Sequence, residues 1–392
     1  MNRKLPLLLA AALLASACGA QSAPAAAPAS PAASPAAVPT PAEPVKAPLV
    51  ATYDGGLYVL DGETLTVAED IPLPGFNRVN PAGDERHVMV STSTGFRVLD
   101  AATPELKADE FKGPKPGHVV RHAGKTVLFS DGTGKVTVFD PKELASGLPE
   151  GEVYQAAAPH HGVAVQLANG ELLVTLGTEE KRSGIIVLDR DRREIARSEQ
   201  CPGVHGEATA EGEAVVIGCE DGVLVYRNGK ITKIGSPDPY GRVGNQAGTD
   251  ESPIVLGDYK KDPDAELERP EQVSLIDTGS GRMRLVDLGT SYTFRSLARG
   301  PHGEALVLGT DGGIHVIDPE KGKVVRTIPV LGEWREPIEW QRPRPAIFVR
   351  GHVAYVTDPD RKQVHAVDVE SGEKLRTGTL PGTPNEISGA GH

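Results

Sequence analysis

The sequence predicts an all-β fold, a β-propeller of about eight four-stranded blades, with seven as the alternative. Three observations carry this: a recurring strand phrase, a short apolar strand ahead of each copy, and a C-terminal segment suited to close a ring. The phrase is a turn rich in Gly and Asp, then alternating apolar residues, then usually Asp. It runs Asp54-Gly-Gly-Leu-Tyr-Val-Leu-Asp61, Ser93-Thr-Gly-Phe-Arg-Val-Leu-Asp100 and Asp131-Gly-Thr-Gly-Lys-Val-Thr-Val-Phe-Asp140. It continues as Ser183 to Asp189, Glu220 to Tyr226, Glu271 to Asp277, Asp311 to Asp318 and Gln363 to Asp368. Successive ends lie roughly 37 to 51 residues apart, the spacing of a four-stranded blade. Strands such as His87-Val-Met-Val90, Thr126-Val-Leu-Phe129 and Glu213-Ala-Val-Val-Ile217 precede the phrase, and each pair reads as a hairpin. The insertions near Glu179–Ser183 and Lys260–Arg269 leave seven blades open.

The first unit, Leu49 to Asp61, lacks the strand that the others carry some twenty residues before their terminal Asp, whereas Leu380 to Ile387 has no hairpin after it. If that segment supplies the missing inner strand, the end of the chain completes the first blade and leaves no open sheet edge.

Ahead of the propeller, expected to span 48–392, lie two segments of different composition. Residues 1–18 read as an export signal: Arg3-Lys4, an apolar run from Leu5 to Ala17, then Cys18. Ala15-Ser16-Ala17 running into a cysteine resembles the bacterial lipoprotein signal, in which Cys18 becomes the lipidated first residue. Residues 19–47, rich in Pro, Ala and Ser, read as a disordered tether. The expected location is the bacterial cell envelope, exported and held to the membrane through the lipid alone, on the periplasmic or extracellular face. A net charge of −12 argues against nucleic acid or an anionic lipid surface as partner. With Cys18 lipidated, Cys201 and Cys219 remain, and an exported chain favours a disulfide between them over a zinc-thiolate pair.

Counting back from each phrase places the inner strands near Phe76–Arg78, Gly117–Val119, Pro159–His161, Gly203–Glu207, Arg242–Asn245, Thr293–Arg295, 341–346 and Pro384–Glu386. Three consecutive units therefore put histidine at about the same inner position. Imidazole and carboxylate together are what zinc takes, in tetrahedral geometry. The candidate ligands are His118, one of His160 and His161, and His205, with Glu207 as fourth ligand or as a partner to one of them. His122 is a weaker candidate. His87, His302 and His352 start outer strands at turns, and His315 and His365 alternate with apolar neighbours; all five are expected to be solvated or hydrogen-bonded, and the terminal His392 mobile.

The segments Cys201-Pro-Gly-Val-His205-Gly-Glu207, Pro159-His160-His161-Gly162 and Pro384-Asn385-Glu386 resemble those of the periplasmic zinc metallochaperones of the AztD type, which are propellers. The resemblance implies a protein that binds zinc on the propeller and passes it to the solute-binding protein of a zinc ABC transporter. His118, His160 or His161, His205 and Glu207 are the positions it would carry over. Such chaperones often have a His-rich acidic segment near the mature N-terminus, and residues 19–50 here contain no histidine, which leaves a second metal site and the transfer route open.

Two other functional classes make different demands on the sequence. A propeller hydrolase would need a constellation that the sequence lacks: there is no Gly-x-Ser-x-Gly elbow, phosphate loop or His-Glu-x-x-His helix, so no catalytic residue is assigned and the chain is read as a non-enzyme. An interaction scaffold without metal would use the channel mouth, with Trp334 and Trp340 in one irregular connection as a recognition patch. The expected state is a monomer.

Overall fold

The computed structural model describes residues 43–391; the signal segment, Cys18, most of the tether and His392 lie outside them. The described residues form eight sheets, antiparallel but for one parallel bridge between Asp221 and Gly241, and their only helix is the short 3-10 segment Pro141–Ser146. Each sheet is one blade. Blades 2 to 8 take four consecutive strands each, beginning with inner strands Arg78–Pro81, Pro116–His122, Ala164–Gln166, His205–Ala210, Gln246–Ala247, Leu297–Arg299 and Ile347–Arg350.

Blade 1 is closed as the sequence anticipates. Its chain-order strands Leu49–Tyr53, Gly56–Leu60 and Val67–Pro72 lack an inner partner, and Ile387–Gly389 supplies it. Leu49 pairs with Gly389, Val50 with Ser388 and Ala51 with Ile387. The pairing reaches one residue further through Thr52 N–H to the Glu386 carbonyl at 2.9 Å and Asn385 N–H to the Thr52 carbonyl at 2.7 Å. The buried Glu386 carboxylate then ties blade 1 to blade 2, accepting from Arg78 Nε at 2.9 Å, and lies 3.1 Å from Nη2 of Arg295 at the entry to blade 7. Ordered contacts begin before Leu49: Val45 N–H donates to the Ala102 carbonyl and Gly62 N–H to the Lys46 carbonyl.

The repeat phrase has a local cause. Its terminal Asp accepts backbone N–H groups of the turn that follows, so the third strand stops where the side chain can fold back. Asp61 takes those of Glu63 and Thr64, Asp277 those of Gly279 and Ser280, and Asp368 those of Glu370 and Ser371. The second and third strands are buried on both faces, as in His87–Ser91, whereas the fourth alternates exposed and covered residues, as in Lys323–Pro329. That alternation, with Lys323 and Arg326 on it, keeps the outer edge from pairing with other chains.

Apolar side chains from neighbouring blades pack into shared seams all round the ring. Leu49, Tyr58 and Leu65 meet Tyr355 and Val364 across blades 1 and 8, and Val50 and Val59 meet Val88 and Leu99 across blades 1 and 2. Each fully buried Leu or Val in a seam contributes about 1.5–3 kcal/mol. His365, on the third strand of blade 8, bonds Thr377 Oγ1 through Nδ1 at 2.9 Å, and its Nε2 lies 3.7 Å from Asp358 Oδ2.

Burial, reinforced by Lys374, pushes the His365 imidazole below its ordinary value of 6.5. The unfolded chain therefore takes up a proton near pH 6.5 that the native protein resists, so this group withdraws stability as pH falls below about 6.5. The urea midpoint is expected to fall between about pH 6.5 and 5, and the decline should be shallower in His365→Gln. An unchanged slope in that variant would contradict the assignment.

Candidate metal centre

In an antiparallel blade, the entry to the inner strand and the turn between the second and third strands lie on one face. His118, His161 and His205 all sit at such entries, in blades 3, 4 and 5. The counted positions thus fall on the mouth of the channel: the inner strands are short, and several begin two or three residues later than the count suggests.

His118 and His205 are each held by an irregularity in their strand. In blade 3 the register shifts between Pro116 and Val119, bringing Gly117 so close to Asp131 that a Cβ there would lie 2.1 Å from Oδ1. Only glycine permits that approach. In blade 5 the shift falls between His205 and Glu207, and Gly206 has φ +70°. The disulfide Cys201–Cys219 joins the loop before this strand to the end of the next one, with Cα atoms 4.9 Å apart.

The three imidazoles converge. One nitrogen from each of His118, His161 and His205 lies within 4.8 Å of the others, and the ring centroids are 4.9 to 5.6 Å apart. The His205 Nδ1–H donates to the Gly244 carbonyl at 2.5 Å, because a carbonyl can only accept. The His161 Nδ1–H donates to Asp131 Oδ2, also at 2.5 Å. With both Nδ1 atoms so engaged, the Nε2 lone pairs of His161 and His205 face each other at 3.0 Å. Two bare lone pairs at that distance repel, so the arrangement calls for a proton or a metal ion between them. Bonds of 2.0–2.1 Å at tetrahedral angles would set such nitrogens about 3.3 Å apart.

Burial, then the neighbouring His118 and His161 and the Arg242 guanidinium, hold His205 well below the ordinary histidine range. It is a neutral donor at physiological pH. Glu207 does not join the nitrogens directly: its Oε2 lies 3.4 Å from His118 Nδ1. It also lines a cavity of 580 Å³ reaching His122, Gln246 and Asp250.

Of the adjacent pair left open by the sequence, only His161 reaches the cluster. His160 points inward, 2 % exposed, with Nδ1 bonded to the Ala158 carbonyl at 2.9 Å, Nε2 to Thr175 Oγ1 at 3.1 Å, and its ring edge-on to Phe129. Both of its nitrogens are occupied. His122 Nε2 is likewise taken, by Glu213 at 3.0 Å. Trp334 Nε1 donates to the Gly309 carbonyl, while Trp340 is half-exposed with its ring against Phe76. Two groups escaped the sequence reading: the Gly244 carbonyl, which has no sequence signal, and Asp131. The latter opens the blade-3 phrase, and it was legible as the one phrase-opening Asp whose next inner strand begins with histidines.

No protein-family model matches the chain. Among curated proteins it is 27% identical over 303 residues, covering 75% of this chain and 70% of the relative, to the zinc chaperone AztD of Citrobacter koseri. The structure of apo AztD from the same organism matches with a TM-score of 0.74 at 22% identity, over 88% of this chain and 98% of that one. The dihydro-heme d1 dehydrogenase NirN follows at 0.60 and 13%, covering 90% of this chain and 78% of that one. The structural likenesses bear out the propeller, and the sequence likeness bears out the resemblance to AztD.

Two stability changes are expected. Removing the disulfide (Cys201→Ala with Cys219→Ala) should cost about 3 kcal/mol in urea unfolding, from the loop it closes; no change would mean that the loop is already fixed by packing. His160→Ala should cost about 1–3 kcal/mol by leaving Thr175 and a cavity behind, whereas His161→Ala, at the half-exposed mouth, should cost less. The reverse order would refute the division of roles.

Proposed function

Starting from the likeness to AztD, we propose that this protein is a cell-envelope zinc metallochaperone. It binds zinc on His118, His161 and His205 and delivers it to the solute-binding protein of a zinc ABC transporter. The observation that carries the reading is the Nε2 pair at 3.0 Å, with both Nδ1 atoms already donating. Asp131, Gly244 and Glu207 orient the three rings, and the carboxylates make their imidazoles better donors.

Three histidine nitrogens would leave a fourth position on zinc open. Transfer then needs no free ion: a ligand of the partner enters the open position, and the histidines leave one at a time. Arg242, whose charge already weighs against a cation at His205, limits how tightly the ion is held and so favours release. No described helix is long and apolar enough to cross a membrane. The lipid on Cys18 and the segment that leads from it to the ordered contacts at Val45 would keep the propeller near the transporter.

The test is zinc titration of the metal-stripped protein against a competing chelator. One tight equivalent is expected. Asp131→Asn and Glu207→Gln should weaken it by about 10–100-fold, and His118→Ala, His161→Ala and His205→Ala by more, while His160→Gln should retain it. Loaded protein should then pass zinc to the metal-free solute-binding protein faster than zinc dissociates into chelator. Absence of binding, or binding indifferent to all three alanine variants, would overturn the reading.

A further inference from the structure

His302 and His352, read from the sequence as solvated or hydrogen-bonded positions, come together with Glu370 across two blades. His302 lies in the turn between the first and second strands of blade 7, Leu297–Arg299 and Ala305–Leu308, and His352 in the same turn of blade 8, between Ile347–Arg350 and Val353–Asp358. Glu370 lies in the turn between the third and fourth strands of blade 8, Gln363–Asp368 and Lys374–Thr379. Its Oε1 is 2.6 Å from His302 Nε2 and 3.1 Å from His352 Nδ1, and the two rings are 5.9 Å apart. One ligand atom from each residue lies within 4.8 Å of the others.

Turns joining first to second and third to fourth strands lie on the face opposite to the strand entries. This group is therefore on the far side of the ring from His118, His161 and His205, on other blades. The turns that carry it are fixed. Asp368 accepts the N–H groups of Glu370 and Ser371 at 3.1 and 2.7 Å, and Glu304 Oε2 accepts the His302 N–H at 3.0 Å, with Gly303 at φ +85° completing that turn. The backbone positions are thus set before any ligand arrives, although the side chains are exposed.

We propose that His302, His352 and Glu370 form a second, exchangeable zinc site on the opposite face of the propeller. Two imidazoles and one carboxylate are a donor set for zinc and its first-row neighbours rather than for calcium or magnesium, which take oxygen alone. Exposure of all three side chains leaves the remaining positions to water, so the ion is held more weakly than at the channel mouth and exchanges with the surroundings. Such a site suits uptake of loosely held zinc on a face that stays free while the other meets a partner.

The experiment is calorimetric titration of the metal-stripped protein with zinc alone. The wild type should take up a second, weaker equivalent. That equivalent should be lost in Glu370→Gln and in the double variant His302→Gln/His352→Gln, with metal-free melting curves unchanged because all three side chains are exposed. It should persist in His161→Ala and His205→Ala, so failure of the channel site and failure of this one are read separately. A wild type that saturates at one equivalent, or a second equivalent that survives in the double histidine variant, would overturn the proposal.

Discussion

The three-residue pairing of Leu49–Ala51 with Ile387–Gly389 is the constraint on which the rest of the molecule depends. Without it blade 1 would present an unpaired inner edge, and the seams of blade 1 with blades 8 and 2 would lose one wall. A closed ring fixes every blade from both sides, so the angle between neighbours is not free to relax. That is how residues 118, 161 and 205, far apart in the chain, come within one metal-sized space. Glu386 reinforces the closure from within, because a buried carboxylate is stable only while Arg78 and Arg295 remain beside it.

Within that frame the chemistry is decided by which nitrogen of each ring is already used. Neighbours His160 and His161 differ in nothing but the direction in which they point. His160 spends both nitrogens on Ala158 and Thr175 and becomes part of the interior, whereas His161 spends one on Asp131 and offers the other. His205 repeats the pattern with a backbone carbonyl in place of a carboxylate. A carboxylate strengthens the donor and can itself be protonated; a carbonyl fixes the tautomer and adds no charge.

Much of the fold was legible because its repeat has a local cause: an Asp that caps a turn must recur wherever the turn recurs. The closing strand was legible by subtraction, one blade short of a strand and one strand short of a blade. The mouth histidines could be found because strand counting works where blades are regular. It could not separate His160 from His161, since a one-residue difference before a short strand decides the face and no periodicity extends that far. Nor could it bring His302 and His352 together. They occupy equivalent turns in adjacent blades, but their meeting depends on Glu370 from a third turn, and turn-to-turn distances across a seam leave no trace in the spacing of residues.

The Cys201–Cys219 bridge has a consequence for when the channel mouth takes its final shape. In a reducing cytosol both sulfurs would remain thiols, and the loop leading into His205 would be tied only by weaker contacts. Oxidation would join the two segments and fix the approach to His205. Under the proposed export, the channel-mouth cluster would take its final shape only after leaving the cytosol, and its three histidines would be held more loosely before then.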